Sequence, residues 1–553
     1  MWDEVGFSFN HDGIKRKTEN RLILWSRERL LLRLWDKDPS LWDASLGDQI
    51  TDRLGWLDLP ARLEKEVKKV EDFNNSIDKK EISHLVLLGM GGSSLAAQML
   101  YKTLSRNEAH PELSVLSSTH PESVREIEDK IDPMETIFIV SSKSGTTLET
   151  LSFFRYFWSL MNKYSAEPGR HFIAITDPGS YLDDLAEKRN FLKIFHAPQD
   201  VGGRFSAFTS FGIVPASLGG ADIKDLIIYA QEEMRRNKTP VPEQKADGIV
   251  LGALLGELAL AGKDKLTFIT DSALTYFPYW LEQLIAESLG KKGKGIIPVV
   301  DEPQVPIEGY GKDRAFIRIT CGSHPSKDDK QFIESLASKG FPVLDFNLEN
   351  KVFLGRELCR WEIAVAAAGA VFRVNPFDQP DVQRSKKFTL NVMEKSGNDK
   401  IEGIKAYSIE DQDNIRQALS EIFPRTEVNR YIAIHAYLHQ TAGLDKELED
   451  IRFQLVQKTH FATTLGYGPS FLHSSGQMHK GGRDVGIFIQ LVDEPAFDLT
   501  VPETDYSFFS MIKAQAAGDY QALREQGRRV IRINLGKSGE SGLKTLSRII
   551  QEL

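Results

Sequence analysis

HLVLLGMGGSSLAAQML, residues 84–100, begins with an apolar run, breaks at Gly89, Gly91 and Gly92, and resumes in Ser, Leu and Ala. A short apolar run closed by glycine reads as a buried strand, and the residues from Ser93 or Ser94 onward read as a helix. The segment is therefore predicted to be strand, turn and helix N-terminus, the first unit of a parallel α/β sheet. Such a turn exposes backbone N–H groups at the positive end of a helix dipole, and glycine lets an anion approach the backbone. Its spacing matches neither the dinucleotide fingerprint nor the P-loop, and a tight corner explains it equally well.

A second stretch, IFIVSSKSGTTLET (137–150), places Ser141, Ser142, Lys143, Ser144, Thr146 and Thr147 at the end of another apolar run. One helix cap accounts for one hydroxyl, not for six polar residues in seven positions. Short hydroxyls at a helix N-terminus suit the oxygens of a phosphate monoester. Working outward, HFIAITDPGSYLDDLAEKR repeats the strand-and-helix rhythm, and LTFITD, AFIRITC and FPVLDFN restart it further along. YIAIHAYL, VGIFIQLVD and RRVIRINLG suggest strands in a third region. The expected layout is an N-terminal helical segment (1–78), two α/β domains (79–225 and 226–400) and a C-terminal α/β region (401–553).

A chain of 553 residues with 41% hydrophobic and 27% charged content is that of a multidomain globular protein. A formal net charge of −9 gives no basic excess to hold a nucleic-acid backbone. Cys321 and Cys359 are too few for a disulfide framework or a zinc cluster, so a reducing compartment is expected. The start MWDEVGFSFN lacks a basic region followed by an apolar stretch, and the longest apolar run, Ile363 to Phe372, is about half a membrane span. A cytoplasmic location is expected.

The two serine-rich turns, in this order and spacing, resemble the sugar isomerase (SIS) domain, a phosphosugar-binding α/β module. QDVGGRFSAFTSFGIVPASLGG (199–220) resembles the glycine-arginine segment of phosphoglucose isomerases, and WLEQLIAESLGKKGKGIIPV (280–299) their Gln-Leu-x-x-Glu-Ser helix. VNPFDQPDVQRSK (374–386) resembles their Phe-Asp-Gln segment, in which a lysine follows the glutamine by seven residues, here Gln379 and Lys386. The likeness runs from about residue 80 to 390 and beyond, and extends to the isomerase half of fused transaldolase and phosphoglucose isomerase proteins. It implies two SIS-type doubly wound parallel sheets, each a three-layer αβα domain. The implied activity is interconversion of glucose 6-phosphate and fructose 6-phosphate, in glycolysis and gluconeogenesis. No cofactor or metal is implied; the expected partner is a phosphosugar, not nucleic acid or membrane, with a homodimer possible.

Gln283 and Glu287, four apart on a helix, share a face, with Leu284 and Ile285 turned to the core. Isomerising an aldose requires a base that moves a proton from carbon 2 to carbon 1 through an enediolate, and Glu287 is assigned that role. Partial burial raising its pKa would serve the two-way transfer. Arg204, after two glycines, supplies a permanent cation for the enediolate; a structural ion pair is the plain alternative. The resemblance places Lys386 and Gln379 near the ring oxygen and hydroxyls. It places the phosphate and sugar on Gly92, Ser93, Ser142, Lys143, Ser144, Thr147 and Gln283.

Ring opening needs a further acid-base group, and histidine titrates in the right range. In ordinary phosphoglucose isomerases that histidine lies between the glutamate and the Phe-Asp-Gln segment, where this chain has only His324, in TCGSHPSKDD. GYGPSFLHSSGQMHKGG (466–482), after the lysine motif, contains a His-Ser-x-x-Gln core like theirs. His473 is assigned to ring opening, with His479 second; a solvated surface turn is the plain alternative, and the six-residue spacing fits no common metal pattern. A phosphosugar-binding regulator without catalysis, or an isomerase that also takes mannose 6-phosphate, are the competing functions.

Overall fold

The structure, a computed structural model, describes residues 2, 4–77, 81–104, 110–238, 240–322, 327–382, 388–389, 393, 404–423 and 429–553. The N-terminal segment is largely helical, as its periodicity predicts (Asp12–Glu28, Leu30–Trp35 and Leu59–Ser76). It also contributes β1 (Ser8–Phe9), a two-residue strand too short to show periodicity.

A strand covered on both faces needs apolar side chains at successive positions rather than alternate ones. β2 (His84–Gly89) meets that requirement, being buried at every residue after His84. With β3 (Glu112–Leu116), β4 (Thr136–Ser141), β5 (Phe172–Thr176) and β6 (Lys193–His196) it forms a parallel sheet in the order β3-β2-β4-β5-β6. β7 (Lys265–Thr270), β8 (Ile297–Val299), β9 (Arg314–Cys321) and β10 (Val343–Leu348) form a second parallel sheet, with β1 antiparallel on the edge of β10. β11 (Tyr407–Ser408), β12 (Tyr431–Tyr437), β13 (Ala462–Tyr467), β14 (Gly486–Val492) and β15 (Arg529–Asn534) form a third, in the order β11-β15-β14-β12-β13.

All three sheets wind alike. The strands β2, β7 and β12 each lie between the next strand and the one after it, so the winding reverses beside them. In such sheets ligands enter the crevice at the carboxyl ends of the strands where the order reverses. In the first sheet that crevice lies between β2 and β4, whose ends carry the two serine-rich turns. In the third sheet it lies between β12 and β14, and the first domain fills it. There His120 Nε2 is 3.2 Å from Asp493 Oδ1, Ser123 Oγ is 2.9 Å from His439 Nδ1, and Glu122 accepts from the Ala496 amide at 2.8 Å. The third sheet thus uses its crevice to dock the first domain.

Beneath the second sheet, Arg360 of the helix Leu354–Phe372 is buried among carboxylates, 2.5 Å from Glu357, 3.2 Å from Asp247 and 3.5 Å from Glu233. Burial pushes the Glu357 carboxyl up to about 7, with Arg360 pulling the other way. Removing one partner of such a cluster leaves unpaired charge in a low-dielectric interior. Arg360→Met is therefore expected to cost about 3–5 kcal/mol in urea unfolding; a loss below about 1 kcal/mol would show that the cluster does not need its cation.

Among the described residues no helix is long and apolar enough to cross a membrane.

Candidate active site

Glu287 lies in the helix Phe277–Leu289, which follows β7 and is buried on nearly every side. The i, i+4 spacing does put Gln283 beside Glu287, with Gln283 Nε2 donating to Glu287 Oε2 at 3.3 Å. The other carboxylate oxygen, Oε1, is 3.0 Å from Arg204 Nη1. Arg204 reaches that position from the turn Gly203–Phe205, after β6, and is itself buried. Its remaining donors hold the Phe-Asp-Gln segment: Nε donates to Pro376 O at 3.2 Å and Nη2 to Asp378 O at 2.7 Å, while Nη1 also reaches Gln379 Oε1 at 3.2 Å. One guanidinium thus joins Glu287, loop and glutamine, a task its planar five-donor fork suits and an ammonium does not.

Lys291, just past the helix, fastens the same segment, with Nζ 2.5 Å from Asn375 O and 2.8 Å from Asp378 Oδ1. Burial, aided by the nearby Arg204 charge, pushes Lys291 down to about 7 despite Asp378 and Glu287.

The glycine turn is shaped by what approaches it. Gly91 has φ +52°, and a Cβ there would come 2.6 Å from His473 O and 3.0 Å from Gln283 Nε2. A Cβ on Gly92 would come 2.3 Å from Gly203 O, on the loop that delivers Arg204. Of the two readings open from sequence, ligand loop or tight corner, the turn is at least the second, packed against the residues assigned to catalysis. Ser141 Oγ joins the two serine-rich turns by donating to Ser93 O at 2.8 Å.

At the second turn Ser142 Oγ and Thr147 Oγ1 are 2.9 Å apart, and Ser144 Oγ accepts from the Thr146 amide and hydroxyl at 3.3 and 3.1 Å. Thr147 stands at the N-terminus of the helix Leu148–Tyr164 without capping it through its side chain. The first-turn N–H groups are thereby left for another acceptor. Lys143 faces away from this cluster. Its ammonium lies 2.7 Å from Asp177 Oδ2 and donates to the carbonyls of Pro198 and Gln199, both at 3.2 Å. Lys386 and His324 lie outside the described residues.

His473 comes to the site from the third domain. It ends the short turn Ser470–His473 after β13, and its carbonyl accepts from Gln283 Nε2 at 2.8 Å. The side chain is 14% exposed, with Nε2 3.2 Å from Glu149 Oε1, so this stretch is a packed element and not a solvated surface turn. Gln515 Nε2 donates to the same Glu149 oxygen at 2.7 Å, and Thr119 Oγ1 donates to Gln515 Oε1 at 2.7 Å. Glu149 was missed in sequence because an acid in the first turn of a helix is ordinary complement to the dipole. Gln515 carried no signal at all.

His479 is elsewhere, buried with Nδ1 2.8 Å from the Tyr431 hydroxyl. Burial, reinforced by the neighbouring His435 and Lys480, holds it neutral, well below the usual histidine range. Beside it Asp519 accepts from Lys480 at 2.7 Å and lies 3.0 Å from His435 Nδ1. Burial alone would raise the Asp519 carboxyl, but Lys480 and His435 hold it well below the carboxylate range.

Glu282, next to Gln283, is turned to the seam with the third domain, where it accepts from Ser474 Oγ at 3.2 Å. Burial pushes its carboxyl up to about 7, with Ser474, Ser475 and Arg452 opposing. An acid whose folded pKa is raised contributes stability that is complete below its unfolded pKa and is lost as pH rises through the folded value. Between about pH 4.5 and 7, wild type is therefore expected to lose up to roughly 3 kcal/mol relative to Glu282→Gln. Parallel stability-against-pH curves for the two proteins would contradict this.

The assembled group is a carboxylate clamped by a guanidinium and an amide, with a carboxylate-backed imidazole on the segment that packs against the glycine turn. The phosphoglucose isomerase family model matches residues 61–308, which contain both serine-rich turns, Arg204 and Glu287. Over that span the chain is similar to the phosphoglucose isomerase family. Glucose-6-phosphate isomerase of Leptospira biflexa is 28% identical over 400 residues, covering 63% of this chain and 88% of the relative. That of Staphylococcus saprophyticus is 29% identical over 403 residues, with the same shares, 63% and 88%. In fold the chain is similar to a glucose-6-phosphate isomerase from Chlamydia trachomatis (TM-score 0.53, 21% identity, 70% of this chain and 88% of that one). It is similar also to a hypothetical protein of Thermus thermophilus (TM-score 0.59, 23% identity, 70% and 99%). His473, the histidine assigned from sequence, lies beyond the Phe-Asp-Gln segment, after β13 of the third sheet.

Proposed function

We propose that the chain interconverts glucose 6-phosphate and fructose 6-phosphate, with Glu287 as the proton-transferring base and His473 as the ring-opening group. The observation that carries the reading is the convergence on Glu287, whose two oxygens meet Arg204 at 3.0 Å and Gln283 at 3.3 Å. In this reading the phosphate sits at the N-terminus of the helix Leu148–Tyr164, among Ser142, Ser144 and Thr147, with Gly92 and Ser93 beside it. Lys143 shapes that loop through Asp177 instead of binding the sugar.

His473 Nε2–H donates to Glu149, which fixes the tautomer and leaves Nδ1 to exchange protons with the ring oxygen. Once the ring is open, Glu287 takes the carbon 2 proton, and the C–H electron pair becomes the carbon 1–carbon 2 double bond of the enediolate. Arg204 faces the charge that develops on its oxygens. Glu287 then returns the proton to carbon 1, with the matching hydroxyl proton passing from oxygen 2 to oxygen 1. Gln379, held by Arg204, and Lys386 complete the contacts to sugar oxygens. The setting proposed is the cytoplasm, with a homodimer as the assembly.

A coupled assay with glucose 6-phosphate, fructose 6-phosphate and mannose 6-phosphate in the presence of a chelator tests this. Turnover of the first two is expected, unaffected by the chelator. No turnover would leave the non-catalytic regulator, loss on chelation would refute the metal-free proton transfer, and comparable turnover of mannose 6-phosphate would widen the substrate class.

A further inference from the structure

Residues five apart on a helix point about 140° away from each other, so Glu282 and Glu287 cannot serve the same site. Glu282 faces the third domain instead. Its carboxylate accepts from the hydroxyls of Ser474, at 3.2 Å, and Ser475, the two residues that follow His473. All three are at least nine-tenths buried, at 8%, 7% and 6% exposure. A carboxylate in such a place costs stability that an apolar side chain of similar size would not. What it gains in return is a hydrogen-bonded hold on the two positions next to the ring-opening imidazole.

The surroundings support such a hold. Arg452, buried in the helix Ala442–Thr459, bonds Thr463 O at 2.9 Å on β13 and the carbonyls of Val300 and Asp301 at 2.8 and 2.7 Å beyond β8. It thereby fastens the strand that leads to His473 onto the second domain. Its charge and that of Asp301 act on Glu282 in opposite senses. The groups facing Glu282 are therefore the two serines, Arg452 and Asp301, with Tyr279 on its own helix.

We propose that Glu282 is a positioning residue for His473, holding the segment that carries it across the seam between the second and third domains through Ser474 and Ser475. The inference rests on the ring-opening role of His473. Its effect falls on ring opening, read as anomerisation of glucose 6-phosphate by exchange NMR, and not on substrate affinity. Glu282→Ala is expected to slow anomerisation and kcat about tenfold with KM within about twofold of wild type. Glu282→Gln, which still accepts from both serines, is expected to stay within about threefold.

Ser474→Ala removes one hydroxyl and decides the matter if Glu282→Ala does not fold; it is expected to reproduce most of the loss. Added to His473→Ala, Glu282→Ala should have no further effect on anomerisation, because the group it positions is gone. Wild-type anomerisation in both Glu282→Ala and Ser474→Ala, or a further loss in the double variant, would overturn the positioning role while leaving His473 in place. If His473→Ala itself anomerises normally, the ring-opening reading fails and this inference falls with it.

Discussion

Glu287→Gln is expected to lower kcat for glucose 6-phosphate by about 10³-fold, the middle of the range for removing a general base. The substitution is nearly isosteric, so Gln283 and Arg204 keep a neighbour of the same shape, and KM should change little. What is lost is the ability to take a proton from carbon 2. Exchange of that proton with solvent, followed by NMR in deuterium oxide, should vanish together with isomerisation. Anomerisation should persist, since the proposed ring opening does not use Glu287. A variant that keeps more than a tenth of wild-type turnover would remove Glu287 as the base. One that loses anomerisation equally would point to a collapsed site and not to a missing base.

His473→Ala is the complementary case. Isomerisation of the ring-closed sugar is expected to fall by about 10²-fold, with anomerisation falling in parallel. Isomerisation of a tetrose 4-phosphate, in which no ring can form, should be much less affected. The backbone bond from Gln283 to His473 O does not depend on the side chain, so the glycine turn should stay in place. Equal losses on cyclic and open-chain substrates would assign His473 to structure or to the proton transfer itself. Glu149→Gln should show a milder form of the same pattern, because its carboxylate holds the imidazole and exchanges no proton with the sugar.

The two serine-rich turns were legible because their chemistry is local: glycine and hydroxyl residues at strand ends have few other uses in such density. The strands β2, β4, β5, β7, β9, β10, β12, β14 and β15 were legible for a similar reason, as buried apolar runs. β3, β6 and β13 were missed because each mixes polar residues into five or six positions or fewer, as in Lys193–His196. β8 was missed because its three residues, Ile297–Val299, sit inside a stretch read for its glutamate. Lys143 misled for the opposite reason. A cation among phosphate-binding hydroxyls suggests a phosphate ligand, and only the fold shows Asp177, from the end of the neighbouring strand, taking its charge.

By itself, then, the sequence determined the class of fold, the order of the α/β units and the residue types available for proton transfer, because strand burial, glycine turns and helical spacing are written over a few consecutive positions. It could also say that the interval expected to hold the ring-opening histidine has only His324. Which carboxylate answers His473, what Glu282 bonds, and that the third sheet docks the first domain were decided only by tertiary structure. Those partners lie far apart in the chain, Glu149 and His473 by 324 residues, and only the packing of three separately wound sheets brings them within a hydrogen bond of each other.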